Sequence, residues 1–379
     1  MTTTTTDAAA TVDPPSPDEV AAAPRKFSPA KLLQTYGPLI GIGIVALALL
    51  VWAPNSLSDF RLGNLGKYCC WAIAAVGIGL AWGRGGMLVM GQGVFFGIGG
   101  YAMAMHMKLE AAGPGQVPDF MVLYGDATMP GWWEPFRSGP FTIFAIIALP
   151  AAVSFVLGYA ILKRRVKGAY FAILTQALAV AFATLLIATI KQTGGFNGLN
   201  TFTTVFGHNL YDPTVKKNLY MIAAGLLIVC LVVVWQLYRS RYGELLVATR
   251  DAEERIRFLG YDPANIKLVA FVVAAIMASV GGALFAPIAG IISPSNVDAT
   301  ASITMIAGVA LGGRASLLGP ALGAIAVGYG QSTLSERFPT QWTYFQGGLF
   351  IVVLLFLPLG IASLWPKLKS LVSRRSTDA

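Results

Sequence analysis

About ten stretches of this chain stay apolar for so long that water cannot be their solvent. They cover residues 39–53, 65–82, 87–107, 141–162 and 169–190, then 219–238, 268–291, 299–311, 317–334 and 344–364. A helix needs about 20 apolar residues to cross the hydrocarbon core of a bilayer. Inside lipid the backbone must satisfy its own hydrogen bonds, which leaves helices as the form such runs take. The runs therefore predict an all-α, polytopic membrane bundle of about ten transmembrane helices. A hydrophobic content of 55% agrees, since it leaves too little polar surface to cover a soluble core.

The net charge of +9 is distributed as a membrane protein distributes it. Most Lys and Arg fall on one side if the N-terminus lies inside, as the positive-inside rule requires of cytoplasmic loops. The strongest marker is "KRRVK", Lys163 to Lys167, supported by the tail "PKLKSLVSRR". This pattern speaks for a lipid bilayer and against nucleic acid as the partner of the basic residues. The 299–311 run is short and leaves open whether it spans. An odd number of crossings would place Lys367, Lys369, Arg374 and Arg375 outside, so ten spans with both termini cytoplasmic are expected. Residues 1–36 read as a disordered cytoplasmic tail, 37–365 as the transmembrane domain and 366–379 as a second cytoplasmic tail. The opening "MTTTTTDAAATVDPPSPDEVAAAPRKFSPA" has no apolar core of the kind a cleaved signal peptide needs.

Absences narrow the function. No Asp or Glu lies inside any of the ten runs, whereas proton-driven carriers use intramembrane carboxylates as relays. There is no G-x-x-x-x-G-K-[ST] phosphate loop. His106 and His208 are isolated, and Cys69, Cys70 and Cys230 sit within apolar runs as packing residues. With no nucleophile–base pair and no metal-ligand cluster, the chain has no catalytic or metal-binding residue to nominate and is not read as an enzyme. Two classes remain: a passive channel, or the membrane part of a machine powered by another protein.

Forty-two glycines serve that bundle. Gly93/Gly97, Gly308/Gly312 and Gly319/Gly323 have the four-residue spacing that lets helix backbones approach closely. Polar groups able to meet a solute are few: Gln92, Thr175, Gln176, Gln192, Asn197 and Asn200, each otherwise a helix–helix hydrogen bond, with Phe95 and Phe96 beside Gln92 as an apolar wall or gate or as lipid or core contacts. Amides and hydroxyls suit a neutral polar solute, because a carboxylate substrate would favour a charged partner.

The densest charge lies in "RSRYGELLVATRDAEERIRFLGYDPANIK", residues 239–267. Within it Leu245, Ala248, Ala252, Ile256 and Leu259 recur at helical spacing. Asp251/Arg255 and Glu253/Arg257 stand four apart with the acid first, the better order for pairing. Gly260 fits a C-cap and Pro263 follows it. A helix lying on the bilayer or packed on its own bundle is the plainer reading, but the stripe is narrow and its rim mixed in charge, unlike a lipid-surface helix. It suits a groove on another protein.

The motifs "GQGVFFGIGGYAMAM", "KGAYFAILTQAL", "TGGFNGLNTF", "ATRDAEERIRFLGYDP", "PIAGIISPSNVDATASITMIAGVALGGRASLLGPALGA" and "GGLFIVVLLFLPLGI" cover most of residues 65–364. In them the chain resembles permease subunits of bacterial ABC importers of the branched-chain amino acid type. Within that family it is most similar to the larger urea permease subunit. The turn "GRGGMLVMG", with Arg84, Met87 and Met90, departs from the family pattern. The resemblance implies a bacterial inner-membrane importer built from two different permeases, two cytoplasmic ATPases that bind ATP and Mg, and an extracytoplasmic solute-binding protein. It also implies that the segment from Gly243 to Gly260 couples to an ATPase. Leu245, Ala248, Arg250, Asp251, Ala252, Glu254 and Ile256 are its expected contact residues, and Gln92, Gln176, Asn197 and Asn200 lie along or beside the path. The expected solute is urea. A branched-chain amino acid importer is the alternative within the class, and a passive channel for a small neutral solute the alternative outside it.

Overall fold

The computed structural model of the chain describes residues 29–338 apart from 126, 127 and 167, with side chains from 37 onward, and scattered positions up to 360. Among these, six helices are long and apolar enough to cross a membrane. α1 (Pro29–Leu47) continues through a π turn at Ala48–Trp52 to Ser56. It begins inside the stretch read from sequence as tail. α2 (Asp59–Ile78) ends in a second π turn, Gly79–Arg84. α3 (Gln92–Ala112) and the short α4 (Asp119–Tyr124) follow, then α5 (Gly139–Lys163), α6 (Ala169–Ala188) and α7 (Pro213–Arg239). The charged segment forms α8 (Arg241–Asp251) and α9 (Glu253–Phe258). α10 (Pro263–Ala289), α11 (Ala299–Gly312) and α12 (Gly319–Arg337) complete the bundle.

Local chemistry sets the helix starts. Asp212 and Asp262 each accept the backbone N–H two residues on, at 2.9 and 3.0 Å, with Pro at the first helical position of α7 and α10. Four strands of two residues each form two antiparallel pairs, Leu199–Asn200 with Ile291–Ile292 and Thr204–Val205 with His208–Asn209. They decorate one end of the bundle and do not alter its helical class.

α2 and α10 are the centre of the fold. Of their most apolar windows, 78% and 72% of residues are buried, against 17% for α1. They run antiparallel: a Cβ on Gly77 would press on Ala274, and one on Gly281 would press on the Cys70 carbonyl. α3 lies along α10 so closely that a Cβ on Gly282 would overlap the carbonyl of Phe96. α11 and α12 pair in the same way, Gly308 and Gly312 meeting Ala324, Gly319 and Gly323 backbone to backbone. In lipid there is little hydrophobic gain from joining apolar helices, so this close fit supplies the cohesion.

Lys163, Arg164, Arg84, Arg239, Arg250 and Arg314 gather at one end, here the basic end. Gly360 returns to it and packs on Gly313. The last apolar run, 344–364, otherwise falls largely outside the described residues.

Candidate translocation site and charged segment

The run 87–107 is not one helix. After the π turn the chain is unwound from Gly85 to Gly91, and α3 begins only at Gln92. The Gln92 amide donates to the Ala274 carbonyl at 2.6 Å. Ala274 lies about 17 Å along α10 from Pro263, taking 1.5 Å per residue. Gln92 therefore stands at middle depth. Thr175 holds the unwound segment there: its Oγ1 accepts the Met90 N–H at 3.1 Å and itself donates to the Ala172 carbonyl at 2.9 Å.

A second broken span meets the first. From Ile291 the chain descends with only a 3₁₀ turn at Pro294–Asn296, and α11 starts at Ala299. Gly93 donates its N–H to Ser302 Oγ at 2.9 Å, which places the start of α11 beside the start of α3. A Cβ on Gly93 would strike the Val297 carbonyl, and one on Gly97 the Val297 side chain. α3 leaves this junction for one face of the membrane and α11 for the basic end. The 14 residues of α11 make it a half-span, the geometric answer to the shortness of its run. Half-helix N-termini at mid-membrane concentrate positive partial charge where a transporter binds its cargo.

The descending segment also changes the charge account. Asp298 lies outside every apolar run, yet it is half exposed one residue from Val297 at middle depth. Its Oδ1 caps α11 by accepting the Ala299 N–H at 2.6 Å. Ser295 and Thr300 are exposed beside it, and Asn296 is half exposed. The expectation of a carboxylate-free interior fails here because it treated every link between runs as a surface loop. The signal was present in "SPSNVDATAS": a proline, a cap residue and no turn long enough to reach solvent.

The other nominated path residues scatter. Gln176 is half exposed on α6, while its neighbour Thr175 makes the contacts to the junction. Phe95 and Phe96 are buried, packed edge-on against Phe271 at 5.6 Å and tilted against Phe285 at 5.4 Å, so they wall the core rather than an opening. Asn197 and Asn200 are exposed at the end opposite the basic one, where Asn200 pairs with Ile291. Near that end a cavity of about 590 Å³ lies between α3, α5 and α6, walled by Tyr101, Trp132, Trp133, Phe136, Phe182 and Gln192. Sequence reading passed over Lys108. Its ammonium is buried on α3 and reaches both oxygens of Asp119 at 2.9 and 3.0 Å. His106 is a packing residue, its Nδ1 2.8 Å from the Phe136 carbonyl.

The charged segment departs from the expected single helix. It breaks at Ala252, which has φ −148° and ψ 63°. That break removes the four-residue geometry between Asp251 and Arg255, and Asp251 instead pairs with Arg250, Nε to Oδ1 at 2.7 Å. Glu253–Arg257 forms as expected at 2.8 Å, Glu253 also holds Lys267 at 3.0 Å, and Glu254 reaches Arg257 at 3.2 Å. Gly260, with φ +86°, ends α9. Its N–H goes to the Arg257 carbonyl and that of Tyr261 to the Ile256 carbonyl, the paired closure of a helix that ends in a left-handed glycine.

The expected stripe is not the surface offered. The buried face is Gly243, Leu246, Thr249 and Ile256, turned to the chain's own bundle, while Leu245, Ala248 and Ala252 are only half buried. The large apolar groups that project are Phe258 at 90% exposure, Leu259 at 71% and Tyr261 at 51%. Gly243 must be small because a Cβ would strike the Leu237 carbonyl.

Among the described residues no three His, Cys, Asp or Glu side chains are arranged to hold a metal. Comparison with known proteins supplies the family. The model of the branched-chain amino acid transport system permease component matches residues 62–356. The high-affinity branched-chain amino acid permease protein LivM of Escherichia coli K12 is 29% identical over 86% of this chain and 76% of its own length. BraD of Pseudomonas aeruginosa, a permease protein of the same description, is 25% identical over 77% of this chain and 91% of its own. The autoinducer 2 import permease LsrC of Photorhabdus luminescens is 29% identical over 36% of the chain. No solved structure matches. These relatives and the six long apolar helices make this a multi-pass protein of the bacterial inner membrane. The chain belongs to the family of branched-chain amino acid transport system permease components.

Proposed function

We propose that this chain is one of two permease subunits of an ATP-driven importer and carries half of the path for a branched-chain amino acid. The observation that carries the solute assignment is Asp298. An α-amino acid brings an ammonium as well as a carboxylate, and the sequence alone offered no partner for either. The half-exposed carboxylate of Asp298 at middle depth is a partner for the ammonium. The N-termini of α3 and α11 beside it favour the carboxylate. The expectation of urea comes from the resemblance, with mild support from a path without charge, and Asp298 weakens that support. LivM and BraD, described as high-affinity branched-chain amino acid permeases, point the same way.

The basic end faces the cytoplasm by the positive-inside rule. There Phe258, Leu259 and Tyr261 form an apolar knob with Glu254 and Arg255 exposed around it. A knob of this kind fits a pocket on a soluble partner, here the ATPase, with a second permease alongside and a solute-binding protein at the opposite end. Acidic groups beside it, Glu254 and Asp262, disfavour an anionic bilayer surface.

The test is uptake by the assembled complex in proteoliposomes, comparing labelled leucine with labelled urea. ATP-dependent leucine uptake is expected, and Asp298→Asn should raise KM for leucine while the complex still assembles. Urea uptake without leucine uptake would overturn the assignment.

A further inference from the structure

One side chain joins the charged segment to the mid-membrane junction. Arg250, at the end of α8, donates from Nη1 to the Gly83 carbonyl at 2.6 Å. Asp251 clamps the same guanidinium from the other side through Nε at 2.7 Å and Nη2 at 3.2 Å. The stem of Arg250 lies on Gly86, where a Cβ would come within 2.7 Å of its Cγ. Beside it, fully buried Leu246 of α8 lies against Gly85.

Gly83 belongs to the π turn that ends α2, and this turn touches each neighbouring element at the basic end. Arg84 lies over the Tyr238 ring of α7 at 4.3 Å, and Arg314 lies over the Trp82 ring at 4.9 Å. A Cβ on Gly83 would overlap the Arg314 carbonyl in the turn between α11 and α12. Single-turn π segments recur at functional sites. From this turn the unwound residues lead directly to Met90, Gly91 and Gln92, held by Thr175 and Ala274. An unwound segment has no helical ladder to absorb a displacement, so a pull at one end arrives at the other.

Other bonds from α8 and α9 go to the start of α10: Tyr242 to the Ile266 carbonyl at 2.8 Å and Glu253 to Lys267 at 3.0 Å. Those fix the segment to the bundle. The Arg250 bond alone among these leads to the broken span.

We propose that Arg250 is a positioning residue for transport, carrying displacement of α8 through Gly83 and Gly86 into the unwound segment and so to the junction of α3 and α11. The proposal rests on reading α8–α9 as the contact with the ATPase. It also explains why Arg250 is held by a backbone carbonyl and a neighbouring carboxylate at once: both ends of the lever are fixed.

The experiment uses the assembled complex in proteoliposomes and compares Arg250→Ala, Arg250→Lys and Phe258→Ala. Solute taken up per ATP hydrolysed is the first readout. The second is the rate at which a maleimide modifies a cysteine at Leu88→Cys, with and without nucleotide trapping. With Arg250→Ala the uptake per ATP should fall about tenfold, the size of an ordinary coupling between sites. Hydrolysis should continue, and the nucleotide-dependent change in labelling should vanish. Arg250→Lys should lie between, since an ammonium cannot hold the carbonyl and the carboxylate in the same fork. If Arg250→Ala does not assemble, Arg250→Lys decides by the same readouts. Unchanged uptake per ATP with an intact labelling response overturns the relay. If Phe258→Ala uncouples while Arg250 variants do not, the relay alone is wrong; if neither uncouples, the ATPase contact itself is wrong.

Discussion

The mid-membrane junction and the charged segment are built by opposite means. At the junction each contact has backbone on at least one side: the Gly93 N–H on Ser302, Gly282 on the Phe96 carbonyl, the Gln92 amide on the Ala274 carbonyl. At the basic end they are made by long side chains, where the largely buried Glu253, Arg257 and Lys267 form a small network and Phe258 projects into the open. One region tolerates no added atom. The other can lose its outer charge, Glu254, cheaply, because exposed ion pairs contribute only ~0–1 kcal/mol each. A part that must move against a partner is better made in the second way, and a part that must be gripped without slack in the first.

The contrast breaks most visibly at Gly282. Gly282→Val should abolish most of the folded protein, since overpacking costs about 1–3 kcal/mol even where neighbours can shift, and here the neighbour is a carbonyl. Monodisperse yield in detergent measures it, and a normal yield would refute the close approach. Next comes Thr175→Val, which leaves the Met90 N–H without its acceptor. A loss of about 1 kcal/mol follows from stranding this part-buried donor, read as a lower melting temperature together with lost transport. Gly260→Ala should cost about 1 kcal/mol for its positive φ and leave the spans intact. Phe258→Ala with Leu259→Ala should leave melting unchanged and lower only the coupling of hydrolysis to uptake. A drop in melting would mean that the knob packs on its own bundle.

The smallest effect is pH. Lys163 hydrogen-bonds Asp262 and holds its carboxyl below the usual range. A depressed carboxylate contributes stability above its unfolded pKa and loses it as pH falls through the folded value. The contribution should thus be constant at neutral pH and fade only below about pH 4. Asp262→Asn should remove that fading, and a melting temperature that changed between pH 6 and pH 8 through this pair would contradict the geometry.

Much of the bundle was legible because apolar runs have one stable form in lipid. The glycine pairs on α11 and α12 were legible for a related reason: their four-residue spacing has a direct packing consequence. What the sequence did not place were the two broken spans. An apolar run containing "GGMLVMG" reads as helix, whereas distant contacts such as the capture of Met90 by Thr175, 85 residues away, hold it unwound. Asp298 escaped with them, because its depth is set by Gly93 and Ser302 on other elements rather than by neighbours in sequence. The charged segment was found by its density, but its outward face was misjudged. A break at Ala252 rotates the second half, and helical periodicity cannot see a break.

The central claim is that this chain moves solute only when a partner hydrolyses ATP. Labelled leucine flux into liposomes containing this chain alone, and then the full complex, tests it most directly. The account predicts no flux above empty liposomes for the chain alone, and accumulation against a gradient with ATP for the complex. Downhill flux through the chain alone, without ATP, would make it a channel and contradict the account.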